Sequence, residues 1–226
     1  MHIDPDAVDV TQTTVMRLQH MLKKIDRLCL PSTSRHDLEG ILVQQVAHEL
    51  DRLLPWQTGH GRATAAIALE LGRTLHLADE NLHQLRLASL LHDIGILMLP
   101  PCLQTKREWL EPESYVAMQN HPRLGAMLLE PFSFLREATV MIAHHHERWD
   151  GSGYPYGLRG ELIPLGARIL AIADAFDAIQ VPHVQERSLR DRIALRILRV
   201  ASGTQFDPTA VSALETRFAE GHAIHV

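Results

Sequence analysis

Apolar residues recur three and four positions apart along most of this chain, and prolines end several of the runs. The run from Leu82 to Leu91 places its leucines on one face of a helix. Residues 7–30 and 36–54 show the same spacing and stop at Pro31 and Pro55, which end helices because proline lacks the backbone N–H. No strand-like alternation and no glycine-rich phosphate loop occurs in these two runs. The pattern predicts an all-α fold, an irregular helical bundle.

The chain has 226 residues, which suffice for one domain with a sizeable core and a small helical extension. We expect residues 1–54 to form an N-terminal helical hairpin and residues 55–226 to form the main domain. The hairpin would pack against the main domain or against a neighbouring subunit. The oligomeric state, with a homodimer as one alternative, and the relation of this chain to a longer protein stay open.

Composition excludes several classes of function. The net charge is −5, so the sequence predicts no general nucleic-acid binding. The two cysteines, Cys29 and Cys102, form no CxxC pair, which argues against a disulfide framework or a thiolate zinc site. No apolar run reaches the roughly 18 residues of a membrane span, and no signal peptide opens the chain. We therefore expect a cytoplasmic location.

A different kind of segment lies between the later helices. Residues 147–164 hold four glycines and two prolines among aromatic residues, a composition that predicts an ordered, turning loop. Helical spacing resumes at Leu165 and continues to Ile179. Asp174 lies in this run among apolar neighbours, and a carboxylate in such surroundings needs a partner.

The chain contains 15 histidines, and their spacing is more informative than their number. Imidazole and carboxylate side chains that could bind a transition-metal ion occur in five helical segments. They are His60, His92 with Asp93, His121, His145 with His146, and Asp174. Each has an ordinary explanation by itself, as a surface histidine, a residue at a helix junction or part of a solvated helix end. Convergence in one bundle would instead hold two ions, with Asp93 as the bridge.

Such a pair of ions suits one type of chemistry. A bound cation lowers the pKa of its water from 15.7 towards roughly 7 to 9. The resulting hydroxide would attack phosphorus while both ions neutralise the phosphoryl oxygens. Two ions roughly 3.5–4 Å apart are used in this way for phosphodiester and phosphomonoester cleavage.

Specific motifs extend this hypothesis. His92-Asp93-Ile94-Gly95, His121-Pro122 and the loop 145–155, which reads HHERWDGSGYP, resemble the HD-GYP family of HD-domain metal-dependent phosphohydrolases. Residues 163–170, 174–178 and 202–208 continue the resemblance in the same order. It covers about residues 55 to 220, so the main domain is expected to have the HD-domain fold.

The resemblance implies a phosphodiesterase that hydrolyses cyclic di-GMP to pGpG; whether hydrolysis continues to GMP stays open. It also implies two divalent metal ions, most often iron or manganese. The implied metal ligands are His60, His92, Asp93, His121, His145, His146 and Asp174. Asp93 and His121 are the predicted catalytic residues, and Arg148, Tyr154 and Arg168 the predicted substrate-binding residues. The loop signature Gly153-Tyr154-Pro155 is implied to dock on diguanylate cyclase (GGDEF) domains.

Three departures from the family pattern favour an alternative function. Ile96 replaces the lysine that usually follows the HDIG motif, Trp56 replaces a glutamate of three-ion members, and residues 179–183 lack the usual arginines. Loss of a cation that contacts phosphate lowers catalytic rates by orders of magnitude. The alternative is a cyclic di-GMP binding or docking module with little turnover. A phosphohydrolase for another nucleotide is a third interpretation.

Overall fold

Helices account for nearly all of the regular structure. The computed structural model describes residues 5–26, 32–105, 111–179 and 186–219. Within these ranges the chain forms eleven α-helices and four short 3-10 turns, and β-structure is limited to one isolated bridge between Ser202 and Phe206. The predicted all-α fold is confirmed. None of the described helices is long and apolar enough to cross a membrane.

The two N-terminal helices are α1, Pro5–Asp26, and α2, Ser32–Leu53. Predicted residues 27–30 and the terminating Pro31 lie outside the described residues. Buried side chains of both helices, such as Leu18 and Val46, belong to the same hydrophobic cluster as those of the later helices. The hairpin therefore shares its core with the bundle, and the predicted division after residue 54 stays a prediction.

Nine further helices follow in the described part of the chain. The first four are α3 (His60–Thr74), α4 (Asp79–Leu91), α5 (Pro101–Gln104) and α6 (Pro112–Met118). The remaining five are α7 (His121–Leu129), α8 (Arg136–His144), α9 (Leu165–Ala178), α10 (Arg187–Val200) and α11 (Pro208–Ala219).

Helix α4 lies at the centre of the bundle. Its last eight residues except Arg86 are buried, on all sides rather than on one stripe, and it packs on α2, α3, α8 and α9. A helix that is apolar on all sides is stable only when other helices surround it. Because His92 and Asp93 directly follow its last turn, they enter the interior of the molecule rather than its surface.

A close backbone contact holds the next segment in position. After Asp93 the chain forms a 3-10 turn, Ile94–Met98, which packs on α7. A Cβ atom on Gly95 would overlap the carbonyl oxygen of His121 and the backbone nitrogen of Gly125. Glycine is therefore required here, and the contact brings the start of α7 beside the end of α4.

The segment between α8 and α9 is the ordered loop that the sequence predicts. The buried Glu147 carboxylate accepts hydrogen bonds from the backbone N–H groups of Tyr156 (2.8 Å) and Leu158 (3.0 Å). The N–H groups of Trp149 and Asp150 donate to carbonyl oxygens in the turn 204–205 before α11. The loop is thus tied both to itself and to the C-terminal part of the bundle.

Candidate metal centre

Two groups of potential metal ligands lie in the interior. The first joins α3, the end of α4 and α9, and consists of His60, His92 and Asp174. One ligand atom from each residue lies within 4.8 Å of the others. His60 Nε2 is 3.0 Å and His92 Nε2 is 3.8 Å from the same oxygen, Oδ1 of Asp174. Side chains from α3 and from the end of α4 therefore meet at one carboxylate of α9.

The second group joins the first turn of α7 to the end of α8. It consists of His121, His145 and His146, whose ligand atoms also lie within 4.8 Å of one another. The Nε2 atoms of His121 and His145 are 3.4 Å apart. The rings of His145 and His146 are separated by 4.1 Å between centroids. No carboxylate belongs to this group itself.

Asp93 connects the two groups. Its Oδ2 lies 3.2 Å from His92 Nε2 in the first group, and its Oδ1 lies 3.2 Å from His121 Nε2 in the second. One carboxylate thus has an oxygen directed to each set of imidazoles. This is the arrangement that a carboxylate bridging two cations requires, and the bridging role of Asp93 stays a prediction.

Hydrogen bonds set the orientation of three of these imidazoles. The Nδ1–H groups of His92, His121 and His145 each donate to the carbonyl oxygen three residues earlier, at 2.9, 2.8 and 2.7 Å. A carbonyl oxygen only accepts, so Nδ1 carries a proton, and in the neutral ring Nε2 presents its lone pair to the interior. Metal-binding histidines are commonly oriented in this way by a carbonyl group.

These lone pairs need a partner. His92 Nε2 is buried and makes no hydrogen bond in the described structure. When both rings are neutral, the lone pairs of His121 Nε2 and His145 Nε2 repel each other at 3.4 Å unless a cation or proton lies nearby. A buried acceptor without a partner costs about 1–3 kcal/mol. The residues therefore fit bound cations better than they fit an empty, uncharged interior.

The pKa values differ between the two groups. Burial, together with the nearby His146 and His121 rings, lowers the pKa of His145 well below its usual value. Burial and the neighbouring His121 likewise lower the pKa of His146 to about 4. Both imidazoles are therefore neutral at pH 7, which is the state that binds a metal ion.

In the first group, neighbouring carboxylates raise the pKa of an imidazole instead of lowering it. Burial by itself would lower the pKa of His60, but hydrogen bonds to Asp174 and Asp177 outweigh it and raise the pKa to about 10. Burial also opposes the ionisation of Asp93, yet the adjacent His92 and His121 hold its pKa well below the usual range. The raised pKa of His60 and the lowered pKa of Asp93 both result from attraction between imidazole rings and buried carboxylates.

The loop signature forms one wall of the site. The Tyr154 ring lies 5.0 Å from that of His146, and its backbone N–H donates to the His146 carbonyl oxygen. A Cβ atom on Gly153 would overlap the backbone nitrogen of Arg148 and the carbonyl oxygen of His146. The peptide bond between Tyr154 and Pro155 is cis. Glycine at 153 thus permits the close approach that places the tyrosine beside the histidines.

A cavity of about 230 Å³ opens onto these residues. Its lining includes His145, His146, Asp174, Arg148, Tyr154 and Gln205. Among the described residues that line it, Arg148 is the one arginine or lysine. The Arg148 Nε–H group donates to Ser152 Oγ at 2.9 Å, so the guanidinium is held at the rim by the loop itself.

Arg168, the other arginine predicted to bind substrate, is placed differently. Its Nη1 lies 2.6 Å from Asp207 Oδ2, and its guanidinium lies 5.7 Å from the centre of the Trp149 ring. Asp207 is buried and also accepts a hydrogen bond from the N–H of Thr209 in α11. These contacts join α9, α11 and the loop. Arg168 is absent from the described lining of the cavity, so its substrate role stays a prediction.

Sequence reasoning did not assign three residues that contact this site. Asp177 Oδ2 lies 2.7 Å from His60 Nδ1, the Gln57 side-chain amide donates to Asp93 Oδ2, and Glu147 organises the loop. The three-residue spacing from Asp174 placed Asp177 on the same side of α9, which was a usable signal. Gln57 and Glu147 carried no comparable signal.

The structure describes the positions of two of the three departures from the family pattern. Ile96 is 2% exposed and belongs to the hydrophobic core, so it is a packing residue. Trp56 Nε1–H donates to the carbonyl oxygen of Gln104 at 2.7 Å and fixes α5. Residues 180–183 of the arginine-poor stretch lie outside the described residues.

The arrangement defines a class of protein: a helical bundle with two interior histidine groups joined by an aspartate, beside a cavity of about 230 Å³. The sequence matches the HD domain family over residues 44–210. The chain belongs to the HD domain family, and its resemblance to the HD-GYP branch is confirmed by the relatives that follow.

Two curated relatives show how far the similarity extends. A cyclic di-GMP phosphodiesterase response regulator of Xanthomonas campestris is 39% identical over 142 residues, which cover 62% of this chain and 38% of the relative. A 3'3'-cGAMP-specific phosphodiesterase of Vibrio cholerae is 31% identical over 185 residues, 81% of this chain and 35% of the relative. This chain therefore spans little more than a third of the length of these relatives.

Solved structures share the fold. The crystal structure of a cyclic GMP-AMP specific phosphodiesterase of Vibrio cholerae has a TM-score of 0.63 at 24% identity and covers 80% of this chain and 48% of that one. An HD-GYP protein of Bdellovibrio bacteriovorus has a TM-score of 0.60 at 17% identity and covers 94% of this chain and 71% of that one. At these identities the likeness concerns the fold alone.

Proposed function

We propose that this chain is a two-metal phosphodiesterase that hydrolyses a cyclic dinucleotide, with cyclic di-GMP as the first candidate and linear pGpG as the product. The observation that carries the proposal is the position of Asp93, whose two oxygens each lie 3.2 Å from an imidazole of a different group. The named activities of the relatives, on cyclic di-GMP and on 3'3'-cGAMP, support the same class of substrate.

The proposed ligands are divided between the two groups. His60, His92 and Asp174 would hold one ion, His121, His145 and His146 the other, and Asp93 would touch both. The cations in this proposal are iron or manganese. When bound, they would lower the pKa of water and place positive charge beside the phosphoryl oxygens. Imidazole and carboxylate together suit such ions.

Other residues of the chain orient the metal ligands and line the cavity. The carbonyl groups of Ser89, Met118 and Ile142 hold three imidazoles in the tautomer that binds a cation. Asp177 orients His60 from the outside of the site. Tyr154 and Arg148 lie at the cavity, where an aromatic ring can contact a base and a guanidinium can bind a phosphate oxygen.

A second function is favoured by a specific observation. Arg148 is the one arginine or lysine in the described lining of the cavity, since Arg168 is paired with Asp207 and Ile96 lies in the core. A site with so few cations binds substrate but stabilises a phosphoryl transition state weakly. The second candidate is thus a cyclic di-GMP binding module that signals through a partner. Docking of Gly153, Tyr154 and Pro155 on a GGDEF domain, and formation of a homodimer, stay predictions.

The first experiment compares hydrolysis with binding. Protein purified without chelator under nitrogen is loaded with Mn²⁺ or Fe²⁺ and incubated with cyclic di-GMP or, separately, 3'3'-cGAMP, and products are separated by chromatography. The phosphodiesterase proposal expects linear dinucleotide to form with at least one substrate. Ligand binding by calorimetry without product after hours, with either metal, would overturn it in favour of the binding module.

Asp93→Asn provides the matched control for the metal site. It leaves a side chain of the same shape but removes the charge that both groups share, so we expect metal content and product formation to fall together. Asp79→Asn changes an exposed aspartate on the first turn of α4 and should leave both unchanged. Full activity in Asp93→Asn would disprove the assigned bridge.

A further inference from the structure

A second cluster of potential ligands lies far from the candidate metal centre. His36 and Glu39 on α2 and His83 on α4 offer ligand atoms that all lie within 4.8 Å of one another. His83 precedes His92 by nine residues, which corresponds to roughly 13 Å along a helix. Two of the three residues also precede the part of the chain that matches the HD domain family, which begins at residue 44.

Each imidazole of this cluster lies against a carboxylate. Glu39 Oε2 lies 2.9 Å from His83 Nε2, and Glu80 Oε2 lies 3.2 Å from His36 Nε2. The rings of His36 and His83 are stacked, with centroids 4.2 Å apart and planes at 21°. Both Nε2 atoms therefore face an acidic oxygen, and the two rings lie side by side.

Burial separates this cluster from an ordinary surface ion pair. The Glu39 side chain is 3% exposed and that of His83 is 10% exposed, whereas Glu80 is 62% exposed. A carboxylate removed from water needs strong compensation from its surroundings. A divalent cation beside Glu39 would supply that compensation.

We propose that His36, Glu39 and His83 form an accessory zinc site, with a water molecule in the fourth coordination position. Zinc prefers four ligands in a tetrahedron and accepts imidazole and carboxylate at about 2.0–2.2 Å. Such bonds place ligand atoms about 3.3 Å apart. The Glu39 and His83 atoms are 2.9 Å apart, and all three ligand atoms lie within 4.8 Å of one another. Calcium and magnesium fit poorly because they require oxygen ligands throughout.

The consequence of this site is a metal link between α2 and α4. Helix α4 ends at His92 and Asp93, whereas α2 belongs to the N-terminal hairpin. A zinc ion held by both would attach the hairpin to the helix that supports the candidate metal centre. The link is independent of the proposed phosphodiesterase activity, because none of its ligands belongs to the candidate centre.

The experiment uses the full chain in an Asp93→Ala background, which weakens metal binding at the candidate centre. Metal is removed with a chelator, Zn²⁺ is added, excess is removed by desalting, and zinc is measured by elemental analysis. The proposal expects about one zinc fewer per chain when His36→Gln and His83→Gln are added. Gln at position 83 still donates to Glu39, so the local hydrogen bond is kept.

His48→Gln is the matched control, since His48 is an exposed histidine on the same helix α2. In the background protein and in the control, Zn²⁺ should raise Tm by at least about 5 °C and slow amide hydrogen exchange in α2. In the His36→Gln, His83→Gln variant the rise in Tm should be clearly smaller and the slowing of exchange in α2 should be lost. Equal zinc content and equal Tm shifts in that variant and the control would overturn the proposal.

Discussion

Asp177 Oδ2 lies 2.7 Å from His60 Nδ1, although the two residues are 117 positions apart in sequence. The other nitrogen of the same ring faces Asp174 at 3.0 Å. His60 is therefore held between two carboxylates of α9. Asp174 contacts the side of the ring that faces His92, and Asp177 fixes the orientation of the ring from behind.

This contact predicts the effect of removing Asp177. In Asp177→Ala, His60 loses the partner that orients its ring, so metal affinity should fall by about 10- to 100-fold while the remaining ligands stay in place. Titration of metal-free protein with Mn²⁺ provides the measurement. Unchanged affinity would show that Asp174 is sufficient to orient the ring.

Gly95→Ala should destabilise the protein severely. The added Cβ would overlap the His121 carbonyl oxygen, which is backbone and cannot move aside without displacing α7. Overpacking of this kind costs about 1–3 kcal/mol or more, measurable by urea denaturation. Gly40→Ala is the control: its Cβ would meet only the flexible Arg86 side chain at 3.4 Å, and alanine favours helix. Equal stability of the two variants would contradict the prediction.

Glu147→Gln should loosen the loop without unfolding the bundle. The buried carboxylate accepts two backbone hydrogen bonds, and an amide can replace only one of its oxygens as an acceptor. The unsatisfied group costs about 1–3 kcal/mol. We expect faster limited proteolysis between residues 150 and 160. The exposed Glu161→Gln should leave the proteolysis rate unchanged, and no difference between the two would refute the role of Glu147.

Arg168 and Asp207 should behave as a coupled pair. Removing one partner leaves the other charge buried without compensation, so Arg168→Met and Asp207→Asn should each destabilise the protein by about 3–5 kcal/mol. The double variant should be less destabilised than the sum of the two single variants. Denaturation of all four proteins measures the coupling, and strict additivity would rule out the pairing.

Ile96→Lys restores the residue that the family usually has at this position. Because Ile96 is 2% exposed in the core, an ammonium there loses its hydration, and we expect a marked fall in Tm. Ile96→Met is the control, since a volume-conserving apolar exchange costs less than about 1.5 kcal/mol. A stable Ile96→Lys protein with faster turnover would instead mean that the lysine reaches the cavity.

Local sequence determined which segments are helical and which side chains they carry. Leucine spacing and terminating prolines predicted the helices, because burial of an apolar face and the missing proline N–H act over a few residues. The glycine- and proline-rich composition after His146 predicted the ordered loop, because these residues favour turns through their own backbone geometry. His92 and Asp93 were recognisable because they end a strongly apolar helix.

Tertiary structure alone decided how these side chains meet. Arg148 and Arg168 were equivalent candidates in the sequence, but packing of α9 on α11 pairs Arg168 with Asp207 and leaves Arg148 at the cavity. The contact of His36 with His83 likewise exists only because α2 packs on α4. Helical periodicity specifies the face on which a residue lies, whereas contacts between distant faces depend on how whole helices pack.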